Sequence, residues 1–399
     1  MRVFDVPSDP AFWQDPAPFY ESAIRDGGGL FSISTGGYSV MGYDALFELG
    51  RDPRVEGHPF PQDGLGPELE QMYRLLRWGL FALGAPQHKP LRQAAIAGLS
   101  AIRSEEVTNH AGRIAAELVA DLRTRGTADL VGDYCKPLAS RMFCLLVGLD
   151  EAEADGISDA VDAIADQLNG VPGRATAADA AAGHLRSSME RLAAEHRSAL
   201  ISAMEAKLGP DSPATTADLA ASFIFDAVEM VATGLFGVID LLVRCPEFPG
   251  EVLQGRYLLK DGVQEAFRLV TPATLTSRMA LETVEWRGHT IAAGTPLIMW
   301  WGLRQPRSRG VRGADAVQPQ SAGPPPPGVW HRWPCVHRPS VRFSSNRGGR
   351  GSLAACPRQA CPARGRNRVP AAPCPGGGAR ASDFHLNLRP AGMDIGGPT

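Results

Sequence analysis

Apolar residues recur every three to four positions through "RSEEVTNHAGRIAAELVADLRTRG" and "HLRSSMERLAAEHRSALISAMEAKL", with charged residues filling the gaps. That period places one apolar stripe against a core and one polar face in water, so both stretches predict amphipathic helices. The segment "ATTADLAASFIFDAVEMVATGLFGVIDLLVRCPEFPG" differs: it is apolar on nearly every face for over twenty residues and stops at Pro246. It predicts a buried central helix carrying two carboxylates, Asp226 and Glu229, one turn apart. After it, "TVEWRGHTIAAGTPLIMWW" alternates and offers turns at Arg287-Gly288 and Ala293-Gly294, the pattern of a small β-sheet. The expected fold class is mainly α, with small β-sheets.

A run this apolar resembles a bilayer span, but Asp226, Glu229 and Asp240 interrupt it at a cost a lipid-facing helix would not bear. The start, "MRVFDVPSDPAFWQDP", has no basic flank followed by an apolar run, so no signal peptide or membrane anchor is expected. Three Cys within residues 1–302 do not make a disulfide framework and point to a reducing, cytoplasmic setting.

Composition changes the picture at the C-terminal end. The chain of 399 residues has a net charge of −3, which argues against general nucleic-acid binding. That average hides a break: residues 303–399 hold 15 Arg and three Asp, with no Lys and no Glu, and carry 15 of the 33 Pro. Folded surfaces draw on Lys, Arg and Glu together, so Arg alone is a foreign usage. The expected organisation is a helical domain over 1–302 followed by a basic, disordered Pro/Gly/Arg-rich tail over 303–399.

Two short spacings carry candidate chemistry. In "GAPQHKPLRQAAIAGLS", His88 and Arg92 stand at i and i+4 and can reach one anionic group together. In "LLKDGVQEAFRLVTPATLTSRMA", Glu265 and Arg268 stand at i and i+3, close enough on a helix to pair. Alone, the first reads better as a helix start with exposed basic residues and the second as a solvated surface ion pair.

Order and spacing give the series more meaning than any member. A "DPAFWQDPAPFYESAIRDGG" opening, His-x-x-x-Arg near 90, an acid-interrupted helix near 230, Glu-x-x-Arg some forty residues on, then Arg278 and "VEWRGHTIAAGT" resemble a soluble bacterial cytochrome P-450. The resemblance covers residues 8–302. It implies that His88, Arg92 and Arg278 bind haem propionates, that Glu265 and Arg268 form a structural pair on the proximal side, and that Asp226 and Glu229 lie over the haem on the distal side. It also implies a monooxygenase that oxidises an apolar or carrier-bound small molecule, fed by a ferredoxin-type electron donor, with no nucleic acid and no membrane. One departure stands inside the central helix. The family pattern there ends in Asp/Glu-Thr-Thr, whereas Glu229 is followed by Met230 and Val231, which supply no hydroxyl. The plainer reading is that Asp226 and Glu229 only cap a polar pocket.

The family's Phe-x-x-Gly-x-x-x-Cys-x-Gly loop, whose thiolate ligates the iron, is missing from the chain as written, as is its Asn-Arg-Asp-Pro turn. Reading the codons one base later from residue 303, with Arg codons beginning in C, brings both within reach. Gln305 to Ser308 then permits Asn-Arg-Asp-Pro, and Val317 to Pro319 permits Phe-Asn-Pro. In "VWHRWPCVHR" (329–338), Val329 followed by Trp permits Phe, and Trp330 and Trp333 each become Gly whatever the wobble bases. Continuing, Pro334 permits His, Val336 permits Cys and Arg338 permits Gly, giving Phe-Gly-x-Gly-x-His-x-Cys-x-Gly. The tail therefore reads as an out-of-frame translation and the chain as a defective product of its gene. Cys335, the nearest candidate metal ligand, then owes its place to the wrong frame. The competing reading is a zinc site of Cys335, His337, Cys356 and Cys361, which lacks any paired Cys-x-x-Cys. A second function class is a non-catalytic helical module that uses the same fold to dock a carrier protein or partner enzyme; such a role needs no Cys ligand.

Overall fold

The structure, a computed structural model, describes residues 3–5, 7, 12, 28–57, 66–125, 127–256, 258–301 and 385–387. The chain enters through β1 (Leu30–Ser32), β2 (Tyr38–Val40), α1 (Tyr43–Leu49) and β3 (Val55–Gly57). Helices follow: α2 (Glu70–Leu76), α3 (His88–Ser100) and α4 (Ser104–Arg125), then β4 (Thr127–Asp129) and a π-helical turn at Val131–Cys135. The helical body continues as α5 (Lys136–Val147), α6 (Ala154–Leu168), α7 (Ala175–Glu195), α8 (Ala199–Leu208) and α9 (Thr216–Ser222). A second π turn, Phe225–Glu229, leads into α10 (Met230–Arg244), α11 (Phe248–Leu253) and α12 (Leu259–Leu269). Strands β5 (Leu275–Ala280), β6 (Val284–Trp286), β7 (His289–Ile291) and β8 (Pro296–Trp300) close the domain, and β9 (His385–Asn387) pairs antiparallel with β4. The fold is mainly α with small sheets, as its periodicities predict.

The body packs by the rule its sequence states. On α6 the buried residues Ile157, Ala160, Val161 and Ile164 recur at i, i+3, i+4 and i+7, and they join Leu75 and Leu76 of α2, Phe143 of α5, Leu185 and Met189 of α7 and Ile224 in one core. Where α3 crosses α8, only a glycine fits: a Cβ at Gly98 would meet the Leu200 carbonyl at 2.9 Å.

Two sequence expectations are corrected. The run 184–208 is not one helix. His196 adopts φ 51 as a left-handed cap, and Ser198 restarts the chain by accepting from the Ile201 amide at 3.2 Å. The central segment is likewise broken by its π turn, which inserts one residue into the ladder between α9 and α10. Residues Thr216–Val243 are long and apolar enough to cross a bilayer by length and composition. In the fold, however, Ala217, Leu219, Ala220 and Ala221 sit in the helical core. The helix ends at Arg244, ahead of Pro246, as expected.

The strand-rich end forms two sheets rather than one. The five-stranded sheet runs β1-β2-β8-β5-β3, with Arg278 of β5 opposite Gly57 of β3 and Leu297 of β8. Trp300 lies fully buried on it and donates to Ser39 Oγ at 3.2 Å. The β6–β7 hairpin turns through Arg287 (φ 48) and Gly288 (φ 80), two consecutive positive φ values that a two-residue hairpin turn requires.

Candidate functional site

Three basic side chains, from α3 and β5, converge. His88 opens α3 and Arg92 follows one turn later on it; Arg278 is delivered by β5, which pairs with β3. Burial first, then the charges of Arg92 and Arg278, holds the His88 imidazole below its ordinary range, with Glu56 opposing. His88 is therefore neutral at pH 7 and a hydrogen-bond donor through one ring N–H. Burial also lowers the Arg278 guanidinium, whose Nη1 donates to the Phe81 carbonyl at 3.3 Å and the Ser277 carbonyl at 2.8 Å. No described carboxylate forms an ion pair with Arg278 or Arg92. Glu56, the carboxylate that acts on His88, is taken up as acceptor for the Ala85 amide. A partly buried guanidinium without a carboxylate is costly unless an anion completes it, so this arrangement can take an anionic group.

The second set lies on the π turn. Asp226 is accessible to solvent yet crowded enough by protein that burial raises its carboxyl above the ordinary range. Glu229 is half-buried and also raised, by burial first, with Lys136 pulling it down and Asp162 pushing it up. It has no hydrogen-bond partner among the described residues. Met230 and Val231 follow, Val231 being 41% exposed, and neither offers a hydroxyl. A surface groove of about 610 Å³ between α7, α8 and the 209–217 loop contains none of these residues.

A thiolate is harder to place. Burial pushes the Cys135 and Cys144 thiols up to about 12, so both are inert helix-packing residues rather than metal ligands. Among the described residues no cluster of His, Cys, Asp and Glu could hold a metal ion. Cys335 and the whole "VWHRWPCVHR" stretch lie outside the described residues, as does the "DPAFWQDP" opening apart from Phe12. Glu265 and Arg268 both fall on α12, three residues apart, while their side chains lie outside the described part.

Sequence reasoning missed Glu56, Lys136 and Asp162. Lys136 precedes Pro137 at the start of a helix and Asp162 sits on the polar side of another; nothing in their spacing links them to Glu229. Only the packing of α5 and α6 on the π turn does so.

No family model matches the chain. Among curated proteins it is similar to mycinamicin IV hydroxylase/epoxidase of Micromonospora griseorubida, 28% identical over 237 residues. That match covers 56% of this chain and 58% of the relative, so the chain spans less than two thirds of that protein. It is also similar to 20-oxo-5-O-mycaminosyltylactone 23-monooxygenase of Streptomyces fradiae, 26% identical over 306 residues, covering 74% of this chain and 69% of that one. Among solved structures, the fold matches cytochrome P450BioI, crystallised with a hexadec-9Z-enoic acid-ligated acyl carrier protein, at a TM-score of 0.63 and 18% identity, covering 74% of this chain and 78% of that one.

Proposed function

The chain being similar to bacterial cytochromes P-450 in sequence and in fold, we propose that its gene specifies a haem-dependent monooxygenase and that His88, Arg92 and Arg278 bind the two haem propionates. The observation that carries this reading is the convergence of those three groups around Arg278, whose guanidinium is partly buried and lacks any described carboxylate partner. Haem, when bound, supplies oxygen activation at its iron. The protein's own residues do the rest. The two arginines act as charge-assisted donors to the propionates, and His88, neutral and donating, adds a third contact without a third charge.

On the π turn, Asp226 and Glu229 hold protons more tightly than free carboxylates do, which suits them to proton transfer. With Met230 and Val231 in place of hydroxyl residues, proton transfer from Glu229 runs through water, Asp226 or the substrate itself. The substrate class is an apolar small molecule of secondary metabolism, free or carrier-bound. The electron donor is of ferredoxin type and the setting cytoplasmic.

Glu265 and Arg268, on one face of α12 by their spacing, form the structural pair of the proximal side. Residues 303–399 are an out-of-frame translation, supported by three motifs that the shifted frame permits at family spacing. The chain as written therefore lacks a thiolate ligand and oxidises nothing. The test is a haem titration of the chain as written and of a version with one base removed near codon 302. After reduction and exposure to carbon monoxide, only the restored protein should show the red-shifted Soret band of a thiolate complex. That band in the unrestored chain at stoichiometric haem sinks the out-of-frame reading; its absence from both sinks the monooxygenase reading.

A further inference from the structure

The Glu229 carboxylate lies near an ion pair that the reading above leaves unused. Lys136 is the first residue of α5, and its Nζ donates to both carboxylate oxygens of Asp162 on α6, at 2.6 and 2.7 Å. The π turn bearing Glu229 packs against both of these helices. Exposure is graded along the set. The Asp162 side chain is 47% exposed, that of Lys136 25%, and Glu229 is half-buried, so the pair offers the carboxylate a partly solvated polar neighbour. Lys136 attracts the Glu229 carboxylate and Asp162 repels it; the remaining acid, Asp226, lies on the same turn.

We propose that Lys136, anchored by Asp162, is a positioning residue for Glu229, orienting its carboxylate toward the α5–α6 seam and keeping it in proton exchange with solvent there. Glu229 has no hydrogen-bond partner among the described residues, and Met230 and Val231 offer none. A half-buried carboxylate without a donor is free to rotate and costly to ionise. A fixed ammonium supplies both the direction and part of the compensation. Asp162 completes the device by holding the long Lys136 side chain in one rotamer, which an isolated lysine, with its large side-chain entropy, would not keep. The role of Glu229 in proton delivery rests on the function proposed above; the charge coupling does not.

The test follows the protonated-carboxyl infrared band of Glu229 against pH in the full chain, the band being identified by its loss in Glu229→Gln. Lys136→Met should move the midpoint upward and Asp162→Asn should move it downward, each on the order of one pH unit, while Lys136→Arg stays near the parent. Opposite shifts from the two halves of one ion pair are the signature. Loosened packing, by letting water in, moves both variants the same way. A common direction, or no shift in either, overturns the proposal. Should Lys136→Met fail to fold, Asp162→Asn alone decides: an unmoved or raised midpoint refutes the coupling. The readout requires no haem, so a failed titration here leaves propionate binding standing, and a failure to bind haem leaves this result standing.

Discussion

The helical body and the α10–α12 segment both carry apolar helix faces and end in different states. In the body, Leu75, Leu91, Ile157, Ile164, Leu185 and Met204 are essentially inaccessible to solvent. Around α10–α12 the buried core shrinks to Leu241, Cys245, Phe248 and Ala266. Val231, Val243, Leu258, Leu259 and Phe267 (46% exposed) remain open, and Leu253 is 88% exposed. Tight α10–α12 packing exists: a Cβ on Gly234 would meet the Phe267 ring at 2.7 Å. The difference therefore lies not in how well these helices are written but in what covers their outer faces. A single exposed leucine needs no explanation, whereas a series along three consecutive helices marks a surface composed for contact.

The largest effect separates the two regions at the level of the gene. Removing one base near codon 302 should convert a protein with no thiolate signature into one with a full signature. It should also bury the α10–α12 face, read as lost binding of a hydrophobic dye. Dye binding that is unchanged while the thiolate band appears would show that this face has another partner, and the comparison between regions would need a different cause.

Next comes stability. Ile157, 1% exposed in the body, should cost about 2–5 kcal/mol on replacement by Ala, through lost burial plus the cavity left behind. Leu253→Ala should stay within about 0.5 kcal/mol of the parent. Urea unfolding of both variants checks the contrast. Similar losses at the two positions would mean that Leu253 is covered in solution.

Much of this was legible in advance, for reasons that can be named. The period of α4 and the turn at Arg287-Gly288 are local, so the chain states them residue by residue. His88 and Arg92 share a helix, and their i, i+4 relation survives folding intact. The addition of Arg278 came through resemblance, not spacing, because β-pairing between β3 and β5 joins residues more than two hundred positions apart. The π turn was not legible: its extra residue leaves apolar periodicity almost unchanged over so apolar a segment. The break at His196 was hidden for a related reason, since left-handed caps are usually Gly and a His gives no such signal.

Carboxylate recognition by the cationic cluster sharpens the comparison further. Arg278→Met should weaken metal-free protoporphyrin binding by about tenfold or more, the worth of a charge-assisted hydrogen bond. The dimethyl ester of the same porphyrin, which has no carboxylates, should bind parent and variant alike. Fluorescence titration measures both. Equal weakening of acid and ester would assign Arg278 a packing role instead.

The smallest effect is a pH slope at the π turn, where body and α10–α12 segment meet. Burial raises the folded-state pKa of Glu229 above its unfolded value. The folded chain therefore binds this proton more tightly than the unfolded chain does. The associated stability is fully present below the unfolded pKa and is lost as pH rises through the folded one, where an ionised carboxylate must be kept away from water. Glu229→Gln removes that loss. It should match the parent in acid and become the more stable of the two as pH rises above the ordinary carboxylate range. Asp226→Asn should show the same sign with a smaller amplitude, because the Asp226 side chain, though also raised by burial, is open to solvent that screens its charge. Lys136 offsets part of the Glu229 cost, so the gain from Glu229→Gln should grow when Lys136→Met is already present. Urea midpoints across pH for the single and double variants measure this. A parent that gains on Glu229→Gln with rising pH would place the carboxylate in an ion pair strong enough to outweigh its burial, and the π turn would then be a structural junction rather than a proton-handling one.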